Sequence, residues 1–223
     1  LVRAGAPTTE LFEPYVWDQI VAQAEAAGPA PPQRSRVLDG VGFVFLESRP
    51  DAADINQRAG LALRYGYGNG HHHSDNLNIE LWAHGHNQAP ELGYPTWAHP
   101  MGATDHTAHH ITGMIDYGRQ YDGPIAHGTL ELYAGAPEAS FAEVSARPTG
   151  FANRVYRRAV CLADGPEGNV YLLDIFRMAG GKVRTWCFHG PQQKAFDSNL
   201  HFGAVQADPL PIRSGRSQLK PNI

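Results

Sequence analysis

Cysteine is nearly absent from this chain, with two in 223 residues. Cys161 and Cys187 lie far apart in apolar stretches, a spacing unlike any zinc ribbon or redox CxxC motif. Two free buried thiols are the plain reading, and a single disulfide remains open in an oxidising compartment. Long hydrophobic runs are also missing. No apolar stretch approaches the roughly 18 residues that a spanning helix needs, and Leu1-Val2-Arg3-Ala4-Gly5 contains no signal-peptide core. Positive charge is scarce as well. Lys and Arg total 18 against 22 Asp and Glu, for a net charge of −4, which argues against nucleic acid as a partner. Finally, the first residue is Leu rather than Met, which suggests a fragment or processed chain.

Against these absences, histidine is abundant, with 12 residues. Hydrophobic residues make up 42% and charged residues 18%, a composition that can bury a core. The length fits one large all-β domain or two small ones.

Residues 10–27 carry Leu11, Tyr15, Ile20, Ala24 and Ala27 among good helix formers, and Gly28-Pro29-Ala30-Pro31-Pro32 ends that helix. Beyond Pro32 the texture becomes short strand-like runs separated by Gly, Pro, Asp and Asn. Strands are expected at 37–47, 61–67, 77–84, 111–115, 129–134, 155–163, 170–178 and 183–189. Leu77-Asn78-Ile79-Glu80-Leu81 alternates like a strand with one wet face. Val170-Tyr171-Leu172-Leu173-Asp174-Ile175-Phe176 is nearly all apolar, as expected for a strand covered on both faces. Residues 164–169 and Gly180-Gly181 read as hairpin turns. The pattern implies an all-β, antiparallel β-sandwich preceded by the end of a helical region. Its expected divisions are 1–32 (helix end and linker), 33–208 (sandwich) and 209–223 (a loose basic, proline-containing extension).

Most of the histidines fall between positions 71 and 110. His71-His72-His73-Ser74-Asp75 directly precedes the alternating strand. If strand geometry extends backward, His71 and His73 project to one side and His72 to the other. A His-x-His pair can supply one or two metal ligands, and two imidazoles with a carboxylate suit zinc. Glu91, before a Gly-Tyr-Pro turn, and His109-His110, before the apolar stretch 111–115, offer further donors. Incidental loop histidines and an exposed Glu91 are the competing reading.

The segment Gly70-His71-His72-His73-Ser74-Asp75-Asn76-Leu77-Asn78-Ile79-Glu80-Leu81 resembles the His-x-His hallmark of heparinase II/III-like polysaccharide lyases. Glu91-Leu92-Gly93-Tyr94-Pro95 resembles their acidic-Leu-Gly-Tyr element, with Glu where Asp is more usual. His110-Ile111-Thr112-Gly113-Met114-Ile115-Asp116 is similar to their His-Asn-Thr element, with Ile111 replacing Asn and Gln120 in register. Tyr156-Arg157-Arg158, residues 171–177, Gly180-Gly181 and Phe188-His189-Gly190 continue the likeness in order to about position 190.

That resemblance implies a helical toroid joined to a β-sandwich, and cleavage of uronate-containing glycans by β-elimination. It implies that His71 faces the catalytic cleft as the catalytic histidine. It also implies that His73, Glu91 and His110 hold one mainly structural zinc, with His109 as the fallback ligand. The further partners it implies are an acidic polysaccharide or oligosaccharide and an upstream helical catalytic domain, in a periplasmic or secreted parent protein. Tyr15 is expected to pack rather than to be that domain's catalytic tyrosine. A zinc-stabilised carbohydrate-binding or structural module without turnover is the alternative.

Several other residues carry weaker expectations. Arg157, Arg158, Arg177, Lys182 and Arg184 are candidates to attract an acidic glycan, with solvated strand faces as the competing reading. Trp82, Tyr94 and Trp97 are candidates to stack on sugars or to pack. His84, His86, His99 and His106 read as wet-loop histidines, His189 as a structural residue, and Asp75 as one that orients an imidazole or caps a turn.

Overall fold

The computed structural model describes residues 14–28, 34–67, 72–91, 93, 106–121, 123–147 and 155–190. The chain divides into two compact units, Leu1–Gln33 and Arg34–Ile223. The first unit contains helix α1, Pro14–Ala27. Gly28 follows at a φ of +70°, the left-handed conformation that commonly closes a helix. Residues 10–13 of the expected helix and the extension 209–223 lie outside the described residues.

The second unit is an antiparallel sandwich. Its first sheet has the order β1 (Arg36–Leu38), β2 (Phe43–Ser48), β3 (Ala59–Arg64), β4 (Ile79–Ala83), β5 (His86–Ala89). The second has the order β10 (Val170–Ala179), β9 (Val155–Asp164), β8 (Ala139–Ser145), β7 (Thr129–Ala136). A third, small sheet pairs β6 (Gly113–Ile115) with β11 (Arg184–Trp186). Alternation, strict in β2, β3 and β8, sends one side of each large sheet inward. Val44, Leu46, Leu61, Leu63 and Ile79 of the first sheet join Ala142, Val144, Val160 and Leu162 of the second in one core. Burying such side chains contributes about 1.5–3 kcal/mol each.

The sequence pattern misplaces several boundaries. The run expected at 37–47 is a hairpin, because Gly42 takes a φ of +70° and breaks it into β1 and β2. β5 and β8 are absent from the expected strands. β4 begins at Ile79 rather than Leu77, because Leu77 sits at a φ of +59°. Strand geometry therefore does not extend back to the histidines, and the alternation drawn through them fails. His84 and Gly85, both at positive φ, make a two-residue hairpin loop of the kind that matches strand twist.

Two further expectations are corrected. β10 is not covered on both faces: it is an edge strand, with Tyr171, Leu173 and Ile175 exposed at 59%, 57% and 46%. Residues 164–169 do connect the paired strands β9 and β10. Gly180-Gly181 does not form a second hairpin, because β11 pairs with β6 instead of returning along β10. A Cβ on Gly181 would collide with Ile115 Cγ2, so this close crossover requires glycine. Cys161 and Cys187 are both free thiols.

Candidate functional site

Three separate segments meet beside β4. The first is the irregular loop before that strand. Its turn is fixed on β3 by two backbone bonds, Leu77 N to Arg64 O (2.8 Å) and Arg64 N to Asn78 O (3.0 Å), and by the fully buried Leu77 side chain. His73 is carried on this loop. The second segment is the exit of β5, where Glu91 lies. The third is a short 3₁₀ turn, Thr107–His109, capped by His106, whose Nδ1 accepts from Ala108 N at 3.1 Å. His110 follows it, 1% exposed.

The two imidazoles grip one carboxylate. His73 Nδ1 lies 3.1 Å from Glu91 Oε1, and His110 Nδ1 lies 2.9 Å from Glu91 Oε2. The imidazole ring centroids are 5.0 Å apart. Asn78 completes the clamp by donating from Nδ2 to Glu91 Oε2 (3.2 Å) and accepting Ile111 N at Oδ1 (2.8 Å). Burial alone would raise the Glu91 pKa, but hydrogen bonds and charge from His110 and His73 outweigh it and bring the value down to about 2. Burial lowers the His110 pKa against the opposing pull of Glu91. Near neutral pH the cluster is thus an ionised carboxylate and a neutral His110, the forms that bind metals.

The donor set fits zinc. One donor atom from each of His73, Glu91 and His110 lies within 4.8 Å of the others. Bonds of about 2.0–2.1 Å in a tetrahedron place ligand atoms about 3.3 Å apart, close to the two N···O distances seen here. His110 Nε2 is buried without a hydrogen-bond partner among the described residues.

A cavity of about 810 Å³ opens onto this cluster, lined by His72, His73, Asp75, Asn78 and Glu91 and, beyond them, by Arg64, Tyr67, Glu80 and His127. Burial raises the Glu80 carboxyl pKa, reinforced by the nearby Glu91 charge. Tyr67 meets His127 edge-on, with ring centroids 5.6 Å apart.

Other expected residues have different fates. His71, Tyr94, Trp97 and His99 lie outside the described residues, as does the Tyr15 side chain. His110, not His109, joins His73 and Glu91. Ile111, standing where the motif has Asn, is a buried core residue. Gln120 donates from Nε2 to Tyr156 Oη at 2.6 Å inside the protein. His189 donates from Nε2 to the Pro90 carbonyl at 3.1 Å, beside Glu91. His106 is buried, not a wet-loop residue, because its ring caps the turn. Asp75 pairs with Arg64.

Of the five basic candidates, Arg158 lies on no solvated face. It is fully buried, bonding both Asp174 oxygens at 2.9 and 2.6 Å and stacking over Phe176. Its Nη1 donates to the carbonyls of Leu77 (2.5 Å) and Ile111 (2.6 Å), tying together the loops of His73 and His110. Arg157 and Arg177 bond Glu143 on the outward face of the second sheet.

Sequence reasoning does not find Asn78, Arg64 or Arg158 as site-building residues. Asn78 gives no such signal, because it falls in phase with Glu80 on the wet side of the alternation and is buried only where the turn at Leu77 and the His110 segment close over it.

No protein-family model matches the chain, and no curated protein matches it. Solved structures do. One is a heparinase III, with a TM-score of 0.63 and 17% identity, covering 81% of this chain and 28% of that one. The heparan sulfate lyase HepC from Pedobacter heparinus aligns with a TM-score of 0.56 and 18% identity over 74% of this chain and 26% of the other. A further heparinase III structure aligns at a TM-score of 0.52 and 17% identity over 69% and 23%. The chain therefore has the fold of part of these lyase structures and spans about a quarter of their length.

Proposed function

We propose that this chain is the sandwich part of a polysaccharide lyase that cleaves uronate-containing glycans by β-elimination, with one structural zinc held by His73, Glu91 and His110. The observation that carries this reading is the convergence of those three side chains from separate segments, within 4.8 Å, on a fold shared with heparinase structures. When bound, zinc would supply a fixed charge that crosslinks the three segments, of which those of His73 and Glu91 line the cavity. The chain's own contribution is to hold those loops in place through Asn78, Arg158 and the His189–Pro90 contact.

In β-elimination the proton beside the uronate carboxylate leaves to a base. Its electron pair forms the C4–C5 double bond, and the 4-oxygen departs with a proton. In this reading His71 acts as base or as cationic stabiliser of the uronate carboxylate. The remaining catalytic groups belong to an upstream helical domain, consistent with the greater length of the structures matched. A periplasmic or secreted setting follows from the same reading. Among the described residues no helix is long and apolar enough to cross a membrane.

The test is to incubate the intact protein with a panel of uronate glycans and follow ultraviolet absorbance of unsaturated products. Activity lost in His71→Ala is expected. No product from any uronate glycan overturns the lyase reading and leaves the binding module.

A further inference from the structure

The cavity at the triad continues along the outward face of the first sheet. Ala62 and Glu80 line both it and a second cavity of about 300 Å³, so the two form one trench. The floor is β3, where Gly60 and Ala62 face outward. Across the ladder Gly60 lies between Glu47 and Trp82, and Ala62 between Phe45 and Glu80. Small residues on the middle strand and large ones on both neighbours make a channel two strand spacings wide, about 9.6 Å between backbones. A Cβ on Gly60 would lie 3.1 Å from Glu47 Oε2, so glycine keeps the channel open.

Its two ends differ chemically. The triad end is lined by Arg64, His72 and His127, and its carboxylates Asp75 and Glu91 are paired with Arg64 and with the two imidazoles. The far end presents Glu47, Glu80, Trp82 and Asn87. Two cations act on Glu47 there: Arg36, which stacks over Phe45 at 4.6 Å and lies 3.7 Å from Glu47, and Arg58. Glu80 is half-buried on the trench wall, with no hydrogen bond or ion pair to a described residue. A half-buried carboxyl without a protein partner gains from a hydroxyl-bearing ligand. An indole face beside it suits the apolar face of a sugar ring. Glu80, which has no counter-charge among the described residues, repels a carboxylate or sulfate placed against it.

We infer that the far end of the trench is a subsite for an uncharged, hydroxyl-rich sugar ring, stacked on Trp82 and hydrogen-bonded by Glu47, Glu80 and Asn87. This rests on the lyase reading, in that the acidic sugar occupies the triad end of the same trench. The subsite discriminates against sulfate or carboxylate on the neighbouring ring.

The test uses the intact zinc-loaded protein and three tetrasaccharides: uronate alternating with unsulfated N-acetylhexosamine, the same chain sulfated on each hexosamine, and an all-uronate chain. Binding is read as KM where the probe is turned over and as Kd where it is not. The unsulfated alternating chain is expected to bind best. Trp82→Ala should weaken it about tenfold while leaving the all-uronate chain unchanged. Asn87→Lys, at an exposed β5 position, is expected to tighten the sulfated chain several-fold, and it does not depend on the folding of the Trp82 variant. Unchanged binding in a folded Trp82→Ala protein, or a wild-type preference for the sulfated chain, overturns the subsite. If the unsulfated chain binds through Trp82 but no unsaturated product forms, the lyase reading fails and the subsite stands. If product forms and KM is unchanged in Trp82→Ala, the subsite fails and the lyase reading stands.

Discussion

The two large sheets bury similar faces and present different ones outward. On the first sheet, the outward positions of β2, β3 and β4 mix aromatics, Gly60, Ala62 and the carboxyl of Glu80, which has no partner among the described residues, and they open onto the His73–Glu91–His110 cluster. On the second sheet, charge is satisfied internally. Glu143 accepts from Arg157 at 2.7 and 2.9 Å and is also bonded by Arg177, and beside it stand the exposed apolar side chains of Tyr171, Leu173 and Ile175. Alternation alone does not distinguish these faces. What separates them is Glu80, a half-buried carboxyl with no partner among the described residues, against a Glu143 held by two arginines.

The sharpest way to break the contrast is through the residue that links the sheets. Arg158→Met would strand the Asp174 carboxylate and free the Leu77 and Ile111 carbonyls. Losing one partner of a buried pair costs about 3–5 kcal/mol, read as a lower urea midpoint, and the same variant should weaken zinc binding. A variant as stable as wild type would show that the two sheets hold their loops independently.

Acid should act on the first sheet's end before the second sheet. In metal-free protein the folded-state pKa of His110 lies below its ordinary 6.5. The unfolded chain therefore takes up that proton first, and stability falls as pH drops through about 6.5. Glu91 has a folded value of about 2 against an ordinary 4.5. Its stabilisation is present above about 4.5 and is lost as pH falls toward 2, about 3 kcal/mol in all. Denaturant titrations at stepped pH check this, and a flat profile from pH 7 to 4 would refute it.

Metal binding sharpens the contrast further. Elemental analysis should find about one zinc per chain, with His110→Ala or Glu91→Gln bringing it near zero. Saturating zinc should stabilise the wild type by about 2.7 kcal/mol at a hundredfold excess over Kd and these variants not at all. Zinc retained in both variants would displace the site.

The smallest effect is expected at Glu143→Gln. Surface ion pairs contribute little, so zinc content and turnover should match wild type and the thermal midpoint should shift less than in any variant above. A loss of zinc there would show that the second sheet's face takes part in the site.

Much of the fold and the site is legible in the chain. Alternation in 77–84 marks a strand because side chains on opposite faces meet opposite environments. The resemblance carried by the His-x-His, Glu-Leu-Gly-Tyr and His-x-Thr segments implies the three residues that the fold brings together. The hidden parts are those set by long-range contacts. Leu77 breaks its strand because its backbone docks on Arg64, and Arg158 reads as any strand arginine until Asp174 lies across the ladder from Val160. Tyr171, Leu173 and Ile175 look buried because hydropathy records what a side chain prefers, not which edge of a sheet it occupies.

The histidines, the small residues of β3 and the scarcity of cysteine and positive charge are properties of the chain itself, and they determined the class of chemistry available. Which imidazole meets Glu91, and that Gly60 lies between Glu47 and Trp82 and Ala62 between Phe45 and Glu80, only the tertiary structure decided. The physical reason is that strand register and loop closure join residues tens of positions apart, and no local pattern encodes those distances.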